Sequence, residues 1–357
     1  MDQLVLVINP LFSSTKIAVY ASRKHIFLTI IKHSPEELSG FNKFTDQFEM
    51  RKKAICHELK NANIDIRQVG IVVGRGGLLK PISGGVYIVN EAMLRDSLKP
   101  MGEHESNLGG IIAYDMAKEA GKDAKAIIID PACVDEMEEI AKISGIPEIK
   151  RKSILHALNQ RTVARNFVRE IGKNYEDINV IVAHLGKSIS IGVHQKGRII
   201  DVNNGLIGDG PMTTERSGSV PCGDLVEMCF SGKYSREDIL KKLNGGGGIL
   251  AYLGTNNWFE VEKRIESGDR QAELVFRAMA YQIAKEIGAM STVLKGEIDG
   301  ILITGEIAHC NYMINAITER IHHLGMVRVY PGEDEMEAQA MYAYMVLTGE
   351  IEAKEYK

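Results

Sequence analysis

The sequence predicts an α/β fold built as two similar halves. Three observations lead there. Short apolar strand patterns alternate with amphipathic helical patterns along the chain. A three-strand pattern occurs twice, half a chain apart. A length of 357 residues suits two domains, each able to bury its own core.

The fuller copy of the repeat is VIVAHLGKSISIGVHQKGRIIDVNNGLIGDGPMTTERSG, residues 180–218. An apolar strand, 180–184, ends at His184, and Gly186-Lys187 turns the chain. Ser188, Ser190 and Gly192 then alternate with Ile189, Ile191 and Val193, the period of a half-buried strand. Gln195-Lys196-Gly197 turns it again into 198–202. Gly186 admits close approach of backbone N–H groups, Ser188 and Ser190 add hydroxyls, and Lys187 adds charge. Such a tip suits a phosphate, although a plain surface hairpin uses the same residues.

The opening stretch, LVLVINPLFSSTKIAVYASRKHIFLTI, repeats the pattern. Residues 5–9 match 180–184, placing Asn9 on His184, and 17–19 match 191–193 with one residue fewer in the second turn. Two phosphate-binding tips facing across a cleft would grip a polyphosphate from both sides.

Composition is that of an ordinary globular protein, 45% hydrophobic and 25% charged. A net charge of −4 gives no argument for nucleic acid or an anionic membrane as partner. The five cysteines show no metal spacing and read as reduced thiols. No signal peptide and no run of about 20 apolar residues is present. The expectation is a cytoplasmic enzyme.

The remaining elements follow in order. Phe44, Phe48, Ile55 and Leu59 mark a helix over 44–60, and 68–74 is a buried strand entering Arg75-Gly76-Gly77. A guanidinium beyond a strand end in a glycine loop suits an anion. GRGGLL fails the dinucleotide pattern G-x-G-x-x-G. A strand at 84–89, a helix at 108–119 and a strand at 125–130 come next, the last ending at Asp130-Pro131. Asp130 is either a strand-end site residue or a turn residue. His156 opens a helix reaching about 172, and 166–180 reads as the crossover between halves. Arg216 lies in the loop 209–218, free to meet a ligand or to pair with Asp209. Helices are expected at 222–230, 236–243, 261–266, 272–294, 312–322 and 336–347, and strands at 299–304 and 327–330. The glycine run 245–248 is a hinge or a close approach to a ligand.

Duplicated β-β-β units with two phosphate hairpins resemble the superfamily of acetate kinases, sugar kinases, Hsp70 and actin. Within it, AHLGKSISIGV, GLIGDGPMTTERSG and GEDEMEAQA resemble the acetate kinase family, its butyrate kinase branch in particular, over residues 5–340. The resemblance implies two actin-like (ribonuclease H-like) domains, each with a β-β-β-α-β-α-β-α core, around a nucleotide cleft: 1–165 plus 336–357, and 166–335. It implies ATP-dependent phosphorylation of a short-chain fatty acid, butyrate first, by a homo-oligomer of at least two chains. Arg75 would bind the carboxylate, and Arg216 and His156 would stabilise the transition state. Asp130 would orient neighbouring groups rather than act as a base, because a carboxylic acid arrives ionised. Asn9 and Glu335 would organise Mg²⁺. Lys16, Ser13, Ser14, His184, Gly186, Lys187, Ser188 and Ser190 would face the phosphates, and Gly247, Asn257, Gly305, Ile307 and Ala308 the nucleoside.

The family pattern is not met everywhere. Leu11 and Phe12 stand where a Gly and a Ser are usual, and Glu306 where a small residue is usual. These departures mark a divergent or second-copy member. Acetate, propionate and branched-chain acids are alternative substrates, and an ATP-driven switch or a filament-forming actin relative is the alternative class.

Overall fold

The computed structural model describes every residue except 1, 2, 23, 103, 207 and 334. The chain forms two compact units, residues 1–134 with 334–357, and Asp135–Glu333.

The first unit holds a seven-stranded sheet. Its strands are β1 (Leu4–Leu11), β2 (Ser14–Ala21), β3 (Lys24–Lys32), β4 (Val69–Gly74), β5 (Val86–Ile88), β6 (Lys125–Ile129) and, from the C-terminus, β12 (Lys354–Glu355). Their order is β12-β5-β6-β4-β1-β2-β3. The second unit holds β7 (Asn179–Leu185), β8 (Ile189–Gln195), β9 (Arg198–Val202), β10 (Gly300–Gly305) and β11 (Val327–Pro331), ordered β11-β10-β7-β8-β9.

Both sheets share one five-strand plan. The first strand pairs antiparallel with the second and parallel with the fourth. The register repeats as well: Ile8 lies opposite Ile17, and Ala183 opposite Ile191. These are the residues that the sequence repeat superimposes.

Both sheets are covered on two faces. In the first unit Leu6, Ile8, Val72 and Ile128 pack against the helices Phe48–Asn61 and Asn107–Ala120. Strand alternation turns Val5, Val7 and Asn9 to the other face, where the helix Glu335–Leu347 packs on β1 and β4. In the second unit Ile181, Ala183, Ile301 and Ile303 meet Arg270–Val293 and Asn311–Ile321. Val180, Val182 and Leu302 meet Ala157–Ile171 on the opposite face, the one His184 shares. The long helix buries Val275, Phe276, Met279, Ile283 and Ile287, each worth about 1.5–3 kcal/mol of transfer free energy.

The division at 134/135 precedes the 165/166 boundary and the 166–180 crossover expected from sequence. The reason lies in the helix Ala157–Ile171, whose Val163, Phe167 and Val168 pack on β7 and β10. Its periodicity announces an apolar stripe without saying which sheet receives it. The short helix Glu91–Ser97 and the two-residue strand β12 had no periodic signal. No helix among the described residues is long and apolar enough to cross a membrane.

Candidate active site

In the first unit the candidate residues gather at the C-terminal end of β1 and β4. Asn9 pairs in register with Lys16, which puts both side chains on one face. Asn9 is buried, and its Oδ1 meets no protein hydrogen-bond donor among the described residues. Arg75 follows β4, with its N–H donating to the Ile8 carbonyl at 3.0 Å. The helix Asn107–Ala120 lies so close here that a Cβ on Gly109 would sit 2.2 Å from the Arg75 carbonyl oxygen. The Arg75 Nη2 donates to Glu335 Oε1 at 3.4 Å, so the expected carboxylate binder and the expected metal ligand touch. Glu335 opens its helix. One turn later Gln339 is fully buried, with neither amide atom partnered among the described residues.

Asp130 has a left-handed backbone, φ 38°, uncommon for a non-glycine residue. It exchanges two bonds with Gly85: its N–H donates to the Gly85 carbonyl at 3.0 Å, and its Oδ1 accepts from the Gly85 N–H at 2.7 Å. This carboxylate orders a loop.

The first hairpin tip is supported from below. Leu11 stays in the strand, opposite Ser14, and Phe12 is exposed. Ser13 is exposed at the turn and Ser14 is half-buried. Arg51, fully buried, donates to the carbonyls of Phe12 at 3.1 Å and Ser14 at 2.6 Å and to Thr15 Oγ1 at 2.9 Å. Among the described residues no carboxylate pairs with it, and burial lowers its pKa to about 10. Sequence reasoning missed Arg51, although it interrupts the apolar stripe of Phe48, Ile55 and Leu59 at helical spacing.

In the second unit His156 and His184 stack, ring centroids 3.6 Å apart and 13° from parallel. His184 Nδ1 bonds Asn159 Oδ1 at 2.9 Å, and its Nε2 faces Glu333 Oε1 at 2.9 Å. His156 Nδ1 bonds Ser190 Oγ at 2.8 Å, and its Nε2 bonds Ser188 Oγ at 3.0 Å. The β7–β8 turn closes with the Gly186 N–H on the Ser188 carbonyl at 3.1 Å, and Lys187 points to solvent. Nothing in the sequence pattern singles out Glu333.

The loop 209–218 is tied to this turn, because Thr213 Oγ1 donates to the Lys187 carbonyl at 2.7 Å. The Arg216 N–H donates to the same hydroxyl, and its guanidinium bonds the Gly205 carbonyl. Asp209 is engaged by Arg151, at 3.4 Å. Arg151 also reaches Asp201 at 2.9 Å, although burial still raises the pKa of that carboxyl.

The expected nucleoside residues scatter in character. Gly247 precedes the helix Gly248–Leu253, with its N–H on the Glu215 carbonyl at 3.0 Å. Asn257 is exposed, and its Oδ1 caps the helix Trp258–Glu266. Gly305 takes φ 93°, and a Cβ there would fall 2.4 Å from the Leu185 carbonyl oxygen. Ile307 and Ala308 side chains lie in the core of the unit, so only their backbone is available to a ligand. Glu306 is exposed.

Comparison with known proteins gives this geometry a family. The model of the acetokinase family matches residues 146–343. Butyrate kinase 1 of Clostridium acetobutylicum is 50% identical over 354 residues, covering 99% of each chain. The chain belongs to the acetokinase family. Butyrate kinase 2 of the same organism is also 50% identical, over 355 residues and 99% of each chain. A crystal structure of Porphyromonas gingivalis acetate kinase shares the fold, with a TM-score of 0.80 at 17% identity over 97% of this chain and 100% of that one.

In this chain the donors available to a cation are oxygens. Among the described residues no cluster of three His, Cys, Asp or Glu side chains could hold a metal. The unpartnered Asn9 Oδ1 and the Glu335 carboxylate fit an ion that takes few protein oxygens and keeps water or phosphate in its remaining positions, which is the habit of Mg²⁺.

Proposed function

We propose that this member of the acetokinase family phosphorylates a short-chain fatty acid, butyrate foremost, with ATP, giving acyl phosphate and ADP. The observation that carries the reading is 50% identity across 99% of the chain to two butyrate kinases. The acid titrates at about 4–5 and arrives ionised at neutral pH. Its carboxylate oxygen attacks the γ-phosphorus. The new P–O bond forms as the bond to the bridging oxygen breaks, and ADP leaves with that electron pair. No proton has to be removed from the nucleophile, which agrees with an Asp130 committed to the Gly85 backbone.

The chemical difficulty is bringing two anions together, so positive charge and hydrogen-bond donors dominate. Arg75 binds the acid's carboxylate. Arg216 and His156 stabilise the charge on the transferring phosphoryl group. Lys16, Ser13 and Ser14 on one hairpin, and His184, Gly186, Lys187, Ser188 and Ser190 on the other, receive the phosphates. Asn9 and Glu335 would hold Mg²⁺, which neutralises phosphate charge when bound. Gly247, Asn257, Gly305 and the backbone of Ile307 and Ala308 border the nucleoside. Five unpaired cysteines support a reducing, cytoplasmic setting. The outward face of β3, with Ile26, Leu28 and Ile30 each about half exposed, supports self-association.

The test is hydroxylamine trapping of acyl phosphate from Mg-ATP and acids of two to five carbons. Product should peak at four carbons, and Arg216→Ala should lower kcat by about 10²–10³-fold. A peak at two or three carbons reassigns the substrate. ATP binding without any product replaces the kinase reading with a nucleotide-driven switch.

A further inference from the structure

Behind the stacked histidines runs a buried chain of hydrogen bonds, and its direction can be worked out atom by atom. Gln160 is fully buried on the helix Ala157–Ile171. Its Nε2 lies 3.0 Å from the Ser190 carbonyl and 2.8 Å from Ser190 Oγ. A backbone carbonyl only accepts, so the amide nitrogen must face Ser190. Oε1 is thereby turned to His194 Nε2, 3.0 Å away, and requires a proton there. His194 is buried and neutral, its pKa lowered to about 3 by desolvation and then by Arg161 and Arg165. Its Nδ1 therefore accepts from the Tyr175 hydroxyl at 2.6 Å. A Cβ on Gly192 would sit 2.3 Å from Gln160 Oε1, so the glycine in β8 is what admits this amide.

At the other end Ser190 Oγ accepts from Gln160 and from the His156 backbone N–H at 3.3 Å. Both lone pairs are used, and its own proton goes to His156 Nδ1. The ring proton of His156 then sits on Nε2 and points to Ser188 Oγ, leaving the Ser188 hydroxyl proton for an acceptor beyond.

We propose that Gln160 is a positioning residue that holds His156 as its Nε2–H tautomer. Every bond from Tyr175 to Ser188 donates the same way, toward the β7–β8 turn. A bound anion at that turn is the acceptor that completes the chain, and hydrogen bonds in series polarise one another. The effect on turnover rests on the proposed role of His156 in the transition state; the tautomer does not.

Long-range ¹H–¹⁵N NMR of histidine-labelled protein reads the tautomer directly. Wild-type His156 should show a protonated Nε2 and a bare Nδ1. In Gln160→Met, close in shape but without donors, the two tautomers should mix and kcat should fall about 10–100-fold, a part of the ~10²–10⁴ that a positioned proton donor contributes. ATP affinity should change far less. Tyr175→Phe, at the far end, should give a smaller shift of the same sign and serves if Gln160→Met does not fold. A wild-type Nδ1–H tautomer, or one unchanged in a folded Gln160→Met, overturns the proposal. A tautomer lost without loss of kcat keeps the positioning and overturns the role of His156.

Discussion

His194 carries no charge in the folded chain, and that has a consequence for stability. Buried between Tyr175 and Gln160, it has a pKa near 3 against an ordinary value of 6.5. The folded state therefore binds its proton less readily than the unfolded state. The stability this protects is intact above pH 6.5 and is lost progressively as pH falls from there toward 3. Each unit in that window costs about 1.4 kcal/mol. Urea unfolding at pH 7 and pH 5 should differ by about 2 kcal/mol more in the wild type than in His194→Gln. Equal differences would show that the ring is not buried neutral. Among residues Arg51 is the opposite case, a buried cation held by backbone carbonyls and the Thr15 hydroxyl under the first hairpin tip. Its charge lies behind the tip where a phosphate is expected.

At the scale of elements, the two units solve one problem alike. Each sheet has two helices on one face and a single helix on the other, and that single helix begins at a candidate site residue. Glu335 opens the helix over β1, and His156 precedes the helix over β7. Four residues on, each carries a fully buried glutamine, Gln339 and Gln160. Asn9 and Lys16 on one sheet hold the register positions of His184 and Ser190 on the other. Close packing fixes where these elements sit. Gly109 is the contact between the helix Asn107–Ala120 and Arg75. Gly109→Ala should destabilise the protein by about 1–3 kcal/mol, as overpacking does. Because Arg75 moves with the contact, the KM for the acid should rise more than the KM for ATP, as steady-state kinetics would show. An equal rise in both would separate Arg75 from acid binding.

At the scale of the whole molecule, the chain is two cores with one plan, and part of its exposed apolar surface forms a row on one strand. Ile26, Leu28 and Ile30 alternate along the outer face of the edge strand β3, a position where soluble chains ordinarily carry charge. Leu28→Lys should shift the sedimentation coefficient toward that of a single chain without changing the circular dichroism. A wild type that already sediments as one chain would remove β3 as an interface.

How much of this was legible follows from the range of each signal. Alternation, helical spacing and the repeat are local, and they located β1, β2, β7, β8 and β9 together with Asn9, His184, Ser188 and Ser190. The charged residue in the stripe of Phe48–Asn61 was visible at Arg51, but its partners on the hairpin are 36, 37 and 39 residues away along the chain. Nothing in the sequence joined Gln160 to Ser190 and His194, Glu333 to His184, or Asp209 to Arg151, since these contacts depend on which helix lies over which strand. The sequence by itself determined the duplicated α/β plan and the two hairpins, because periodicity and turn residues encode local conformation, and the resemblance of its motifs to a known family implied the chemistry. Tertiary structure decided the boundary at 134/135, the buried side chains of Ile307 and Ala308, and the direction of the proton chain behind His156. Those depend on packing between distant segments, where a backbone carbonyl or a neighbouring ring leaves a polar group only one way to be satisfied.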